Sequence, residues 1–310
     1  MKLQQILSSL QKLHPKEIDL SLDRIKKLCK KLGNPQDNLK YISVVGTNGK
    51  YSTIQAIRAI LKDANINCNV YTSPHIQKIN ERYEYNNEKI SDDKLSKLLL
   101  KVKEINNNDA ITYFEILTAA YFYEANKYKD NINIIEAGLF HRFDATNIIK
   151  SNLASIVTAI GLDHLDWLPK NEQTIDKIIF EKTSSLLTSK IIVSKQSSNE
   201  IIDKIKDSIK KNYSNQLIFG NDFNYSLNEN GFFYYEDRYG GLKLPLPNLE
   251  GEFQLSNVAT AIATVRNIDE INVSDENIKN GITKIKSIAR FQEIKNGKLK
   301  DLVKKNKIYI

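Results

Sequence analysis

Residues that staple, kink or chelate are scarce in this chain: two cysteines, four histidines and six prolines among 310 residues, with one tryptophan and one methionine. Cys29 and Cys68 stand far apart and outside any metal-like spacing. That argues against a disulfide scaffold or a cysteine-rich zinc site and fits a reducing compartment, the cytoplasm. No apolar run approaches the roughly 20 residues a membrane helix needs, so no membrane partner is expected. Residues 1–13 alternate Leu and Ile with Gln, Ser and Lys. That is an amphipathic helix pattern, without the apolar core or cleavage site of a secretion signal. Also missing is any basic run interleaved with stacking aromatics. The formal net charge of +8 therefore reads as scattered lysine in a Lys-, Asn- and Ile-rich composition, and no nucleic-acid partner is expected.

What the chain does have is the means to build a core. Its hydrophobic share of 41% and charged share of 26% are those of an ordinary globular protein, long enough for one large or two ordinary domains. The first two-thirds alternate β-branched runs with helical periodicity, which predicts an α/β fold with a mainly parallel sheet flanked by helices. Strands are expected at 41–45, 69–72, 132–136, 153–159 and 191–194. Helices are expected at 52–64, 91–105, 114–128, 172–187 and 200–211. Near Gly220 the pattern changes to a small β and helical extension. Runs 223–227 and 232–235 flank a turn at Asn228-Glu229-Asn230-Gly231. Gly240, Gly241, Pro245 and Pro247 mark a loop, helices follow at 256–267 and 275–287, and a strand-like run ends the chain at 307–310.

The segment Val44-Val45-Gly46-Thr47-Asn48-Gly49-Lys50-Tyr51-Ser52-Thr53 carries the most chemistry. An apolar strand running through glycines and a lysine into a helix start presents backbone N–H groups, a helix dipole and an ammonium to a phosphate. A nearby hydroxyl can then reach Mg²⁺. The strict G-x-x-x-x-G-K-[ST] spacing fails, because Val44 and Tyr51 occupy two of its positions. An ordinary glycine turn before a helix remains the other reading.

This turn resembles the phosphate loop of the muramyl-ligase-like superfamily, in its folylpolyglutamate/dihydrofolate synthase branch. Seven further motifs stand in that family's order along the chain. They are Tyr71-Thr72-Ser73-Pro74-His75, Thr112-Tyr113-Phe114-Glu115, Glu136-Ala137-Gly138-Leu139, Asp144-Ala145-Thr146-Asn147, Gly161-Leu162-Asp163-His164-Leu165-Asp166-Trp167-Leu168 and Ala289-Arg290-Phe291-Gln292, with Glu181-Lys182 between the last two. The resemblance implies a P-loop-type domain that uses ATP and Mg²⁺ to join L-glutamate to folate or dihydropteroate through an acyl phosphate. It implies a monomer whose partners are small-molecule substrates. Thr47, Asn48, Gly49, Lys50, Ser52, Thr53, Asn257 and Arg290 would face the nucleotide. Ser73 and Glu136 would bind Mg²⁺, and His164 would serve a second Mg²⁺ beside a carbamylated Lys182. Lys50, His164 and Lys182 would be the catalytic group. Thr112, Tyr113, Phe114 and Glu115, with Phe143, Asp144 and Ala145, would hold the pteridine or pteroate.

Read without the family, several of these residues have plainer roles. Lys182 could pair with Glu181 on a helix surface. His164 could be held by Asp163 and Asp166. Phe114, Leu117 and Tyr121 share one helix face and could be core. Asn257 could be a helix cap.

Three departures from the family stand out. Tyr51 and the pair Phe140-His141 replace glycines, which is expected to tilt or obstruct the phosphate loop and to stiffen the substrate loop. The chain also ends at a strand, so residues 1–295 are expected to form the nucleotide-binding domain and 296–310 to begin a glutamate-binding domain that is otherwise absent. Little ligase turnover is expected from such a chain. The alternatives are a non-catalytic or split-gene nucleotide-binding remnant and, less consistent with the motifs, a cell-wall muramyl ligase.

Overall fold

The computed structural model describes residues 2–16, 19–187, 189–209, 215–228 and 231–287. Its organising strand is β1 (Lys40–Val45), where Ile42 and Val44 face one core while Tyr41 and Val45 face the other side. A strand apolar on both faces needs helices on both faces, and that is how this sheet is built.

The main sheet has eight strands. Beside β1 come β2 (Cys68–Tyr71), β3 (Tyr83–Tyr85), β4 (Glu88–Lys89) and β5 (Ile132–Glu136), then β6 (Ala154–Val157), β7 (Lys190–Val193) and β8 (Gln216–Ile218). Their order is β4-β3-β2-β5-β1-β6-β7-β8, parallel from β2 through β8, with β3 and β4 added antiparallel at one edge. The chain leaves β5 on one flank of β1 and returns as β6 on the other. That reversal opens a crevice beyond the carboxyl ends of the strands, where ligands of such sheets bind.

One face of the sheet is covered by α3 (Lys50–Asp63) and, from the far end of the chain, α8 (Phe253–Asn267) and α9 (Asp275–Thr283). The predicted apolar stripe of α3, Ile54, Ile57, Ile60 and Leu61, is wholly buried there. A small antiparallel sheet, β9 (Phe223–Leu227), β10 (Phe233–Asp237) and β11 (Gly240–Leu244), joins the same core. The other face carries α1 (Leu3–Gln11), α2 (Asp23–Lys31), α4 (Asp92–Asn106) and α5 (Tyr113–Ala125), and further along α6 (Ile175–Thr183) and α7 (Asn199–Ser208).

Most expected elements are present with ends moved by a few residues. Helix α6 is shorter than the expected 172–187, because residues 170–172 form a separate helical turn. Two expectations need correction. The Gly240-Gly241 loop is strand β11, where a Cβ on Gly241 would lie 1.9 Å from the Tyr234 hydroxyl as that side chain now stands. Helix α2, whose charged residues mask its stripe of Ile25, Leu28 and Cys29, was not anticipated. Arg290 and the run 307–310 lie outside the described residues. Among those described, no helix is long and apolar enough to cross a membrane.

Candidate functional site

At the crevice, β1 gives way to a turn that only glycine permits at two positions. Gly46 has φ +142° and Gly49 φ +89°. A Cβ on Gly46 would lie 2.0 Å from Thr158 Oγ1, and one on Gly49 would lie 2.3 Å from Asn257 Oδ1. The N–H groups of Thr47 and Asn48 donate to the Ala159 carbonyl at 2.9 and 3.0 Å, so the turn is stitched to the end of β6. The first bond of α3 runs from Thr53 N–H to Gly49 C=O. The amides before it are those a helix start leaves without intrahelical partners. Lys50 lies over the turn, its ammonium donating to the carbonyls of Gly46 (3.1 Å) and Thr47 (3.3 Å) and 3.9 Å from Glu136 Oε1. Ser52 lines the cleft, whereas Thr53 is wholly buried behind it with a hydroxyl that has no hydrogen-bond partner among the described residues.

Period-two alternation in β5 puts Glu136 on the face of Ile132 and Ile134, towards the start of α3. Ser73 donates its backbone N–H to Glu136 Oε2 at 3.0 Å. Both residues line the cleft, and a serine hydroxyl and a carboxylate are hard oxygen donors of the kind that fits Mg²⁺, an ion that takes one or two carboxylates and completes its shell with phosphate and water. The remaining two expected ligands are engaged differently. His164, in a left-handed turn, has Nε2 3.2 Å from Asp163 Oδ2, and partial burial lowers its pKa. Lys182 is 1% exposed, so the surface ion-pair reading of it fails; it does not line the cleft. Its ammonium donates to the Gly46 carbonyl at 3.0 Å. Burial first, then the nearby Lys50 charge, push its pKa down to about 8. Among the described residues, no three His, Cys, Asp or Glu side chains converge as a ready metal cage.

The cleft has a volume of about 1120 Å³ and continues from this turn to the N-terminus of α5. There Thr112 and Glu115 form a reciprocal cap: Thr112 Oγ1 accepts from Glu115 N–H at 3.3 Å, and Glu115 Oε2 from Thr112 N–H at 2.8 Å. Tyr113, Phe114, Phe143, Asp144 and Ala145 line the same wall. The helix face splits as its register dictates, with Phe114 lining the cleft and stacked at 6.1 Å on Tyr71, while Leu117 and Tyr121 are wholly buried core. Asn257 faces the phosphate turn one helical turn inside α8, so it is not the cap of that helix.

The glycine replacements are accommodated. Tyr51 has no positive φ and stands in the first turn of α3, so the helix needs no glycine there; its side chain lines the cleft. Phe140 does adopt a left-handed φ of 56°, and its ring is 97% buried in the core under α6. His141 is buried beside it with Nδ1 2.9 Å from Ser185 Oγ, and burial, with the Lys182 charge adding, pushes its pKa down to about 4. Sequence reasoning missed several cleft residues: Asp19, Leu20, Ser21, Arg82, Trp167, Phe253 and Gln254. Arg82 donates to His75 Nδ1 at 3.0 Å. Its proximity to the conspicuous Ser73-Pro74-His75 segment was the one available signal.

Comparison with known proteins adds three findings. A model of the Mur ligase middle domain matches residues 44–265. The dihydrofolate synthase/folylpolyglutamate synthase of Haemophilus influenzae is 31% identical over 297 residues, 96% of this chain. Its Escherichia coli counterpart is 30% identical over 287 residues, 92% of this chain. The chain spans 65% of the length of each. Among solved structures, E. coli FolC in complex with DHPP and ADP superposes with a TM-score of 0.84 at 30% identity, covering 95% of this chain and 68% of that one. The bifunctional synthase of Yersinia pestis complexed with AMPPNP and Mn ion gives 0.83 at 29% identity, covering 95% and 69%.

Proposed function

The chain belongs to the Mur ligase middle-domain family, and from that membership we propose that it serves ATP-dependent amide ligation, joining L-glutamate to folate, to dihydropteroate or to both. The observation that carries this reading is the sharing of one cleft by three groups of residues. These are the Gly46–Lys50 turn, Glu136 with the Ser73 that hydrogen-bonds it, and the aromatic wall at Phe114.

A carboxylate is a poor electrophile, so its oxygen must first displace ADP from the γ-phosphorus of ATP, giving an acyl phosphate. The amine of glutamate then attacks the acyl carbon, phosphate leaves and the amine proton is lost. Lys50 and the first amides of α3 would hold the phosphates, with Thr47, Asn48, Gly49 and Asn257 shaping the turn; Arg290 would join them. Ser52, more than the buried Thr53, would reach the metal, together with Ser73 and Glu136. Bound Mg²⁺ would neutralise the crowded anions. His164 would stand at the far side of the phosphates. Lys182 has a pKa near 8, so part of it is the neutral amine that CO₂ converts to a carbamate. Otherwise its ammonium ties down the turn.

Thr112, Tyr113, Phe114 and Glu115, with Phe143, Asp144 and Ala145, would take the flat heterocycle. The protein would act as a cytoplasmic monomer on small molecules. Titration calorimetry tests the core of this: wild type should bind Mg-ATP, and Lys50→Met should weaken it by about 100-fold or more. A wild-type chain that takes up no Mg-ATP sinks the proposal.

A further inference from the structure

Arg24 holds Asp19 and Glu115, Arg58 holds Glu84, Arg142 holds Glu181 and Arg266 holds Asp237. The arginine that lines the cleft has no such counter-ion. Arg82 is partly buried there, yet among the described residues no carboxylate lies within ion-pair distance of it. Glu81, next to it in sequence, is spent on the backbone, accepting from the N–H groups of Ile76 (2.7 Å), Gln77 (3.2 Å) and Lys78 (3.0 Å). A cation partly removed from water without a counter-ion is costly, and an arriving carboxylate relieves it.

Two features fix where the guanidinium stands. Thr72 N–H donates to the Arg82 carbonyl at 3.1 Å, continuing the β2–β3 ladder, so Arg82 lies across from Thr72 and beside Ser73. Its Nε donates to His75 Nδ1 at 3.0 Å. That bond uses one of five N–H donors and leaves those of Nη1 and Nη2, the fork that matches a carboxylate. The charge of Arg82 is also felt at the hydroxyls of Tyr71 and Tyr113, which sets it near the aromatic wall. A cationic fork thus sits in the cleft alongside Ser73 and within reach of a ligand lying on that wall.

We propose that Arg82 grips the carboxylate that is to be activated, with His75 as its positioning residue. Lys50 is committed to the triphosphate, and a carboxylate approaching that anion needs a cation of its own. One carboxylate oxygen stays on the fork while the other attacks the γ-phosphorus, and ADP leaves with the bridging oxygen. The ligand class is an aromatic acid whose carboxylate points towards the phosphate turn. The proposal rests on the ligase reading and deepens it.

The test titrates the whole 310-residue chain with dihydropteroate, with its analogue bearing hydrogen in place of the carboxylate, and with Mg-ATP. Wild type should prefer the acid to the analogue by about tenfold or more, as a two-pronged charged pair does. Arg82→Gln should bind both at the analogue's level, with analogue and Mg-ATP affinities within about twofold of wild type. Arg82→Lys, a point charge without the fork, should fall between. His75→Leu should lose part of the preference. His75→Asn, whose side-chain oxygen can still accept from Nε, should keep most of it, a split that a merely structural histidine would not show. If Arg82→Gln does not fold, Arg82→Lys and the two His75 variants carry the test. A preference that survives in Arg82→Gln gives the carboxylate to another cation and overturns the proposal. Equal loss of acid and analogue overturns it too, and so does a wild type indifferent to the carboxylate. A wild-type chain that binds Mg-ATP but neither ring ligand overturns it while sparing the nucleotide site. Failure to bind Mg-ATP at all strikes the parent reading instead.

Discussion

Gly49 shows at residue scale why the phosphate turn has so little sequence freedom. Its φ of +89° is in the region that side chains avoid, and the Asn257 carboxamide oxygen lies where its Cβ would be. Nor can Asn257 simply turn away, because its Nδ2 is held by Gln254 Oε1 at 2.9 Å. Gly49→Ala is therefore expected to cost about 1–3 kcal/mol in backbone strain and crowding, and to weaken Mg-ATP about tenfold or more. Calorimetry and a melting curve on the same variant check both numbers. Unchanged affinity and melting temperature would mean that the α8 contact yields freely. The two lysines at this turn divide their work by burial. Lys50 lines the cleft, where a phosphate can draw it away from the carbonyls of Gly46 and Thr47, while Lys182 is sealed against Gly46 from behind.

The element that matters most is α3, whose start lines the cleft and whose body is clasped by α8 and α9. Tyr51 was expected to disturb it as a replacement for glycine, yet the helix takes it with ordinary helical dihedrals. Tyr51→Gly should thus destabilise the protein by about 0.5–1 kcal/mol through lost helix propensity, with Mg-ATP affinity changed by no more than a few-fold. A large gain of affinity on that substitution would show that the ring blocks phosphate. On the opposite side of α3, Gly281 of α9 packs backbone to backbone: its Cβ would come within 2.7 Å of Ile60 Cα and 3.0 Å of Ile60 N. No side chain can swing aside there. Gly281→Ala should part the two helices and cost about 1–3 kcal/mol in a denaturant titration, despite alanine's better helix propensity. A stabilised variant would contradict the close crossing.

On the scale of the whole molecule, one buried imidazole ties stability to pH. His141 in the folded chain titrates near 4, against an ordinary value of 6.5. As pH falls, the unfolded chain therefore takes up the extra proton first. The contribution is complete above pH 6.5 and disappears as pH drops from 6.5 towards 4. Its full size is about 3 kcal/mol. Urea unfolding at a series of pH values should show wild type losing more stability over that window than His141→Gln. Parallel curves for the two proteins would show that His141 is not the group responsible. Because the His141 ring feels the charge of Lys182, whose ammonium holds the Gly46 carbonyl, a proton on His141 should also disturb that hold as acid weakens the fold.

Much of this was legible in the residues alone. The phosphate turn, the parallel alternation and the apolar stripe of α3 were readable because each is set by local periodicity and by backbone rules acting over a few residues. Strand 132–136 could be located in the same way, whereas Thr112 was marked by the family resemblance and not by any local pattern. Tertiary structure alone decided that β5 lies between β2 and β1, that a lysine from α6 is buried under Gly46, and that Arg24 reaches Glu115. It also decided that both oxygens of the Asp144 carboxylate are hydrogen-bonded, to Gly138, Leu139 and Thr146. The reason is physical: a sequence pattern reports which face of a segment is apolar, but a charged side chain is buried or wet according to partners that arrive from distant parts of the chain. Arg24, Lys182 and Asp144 look like any solvated charge until those partners are in place.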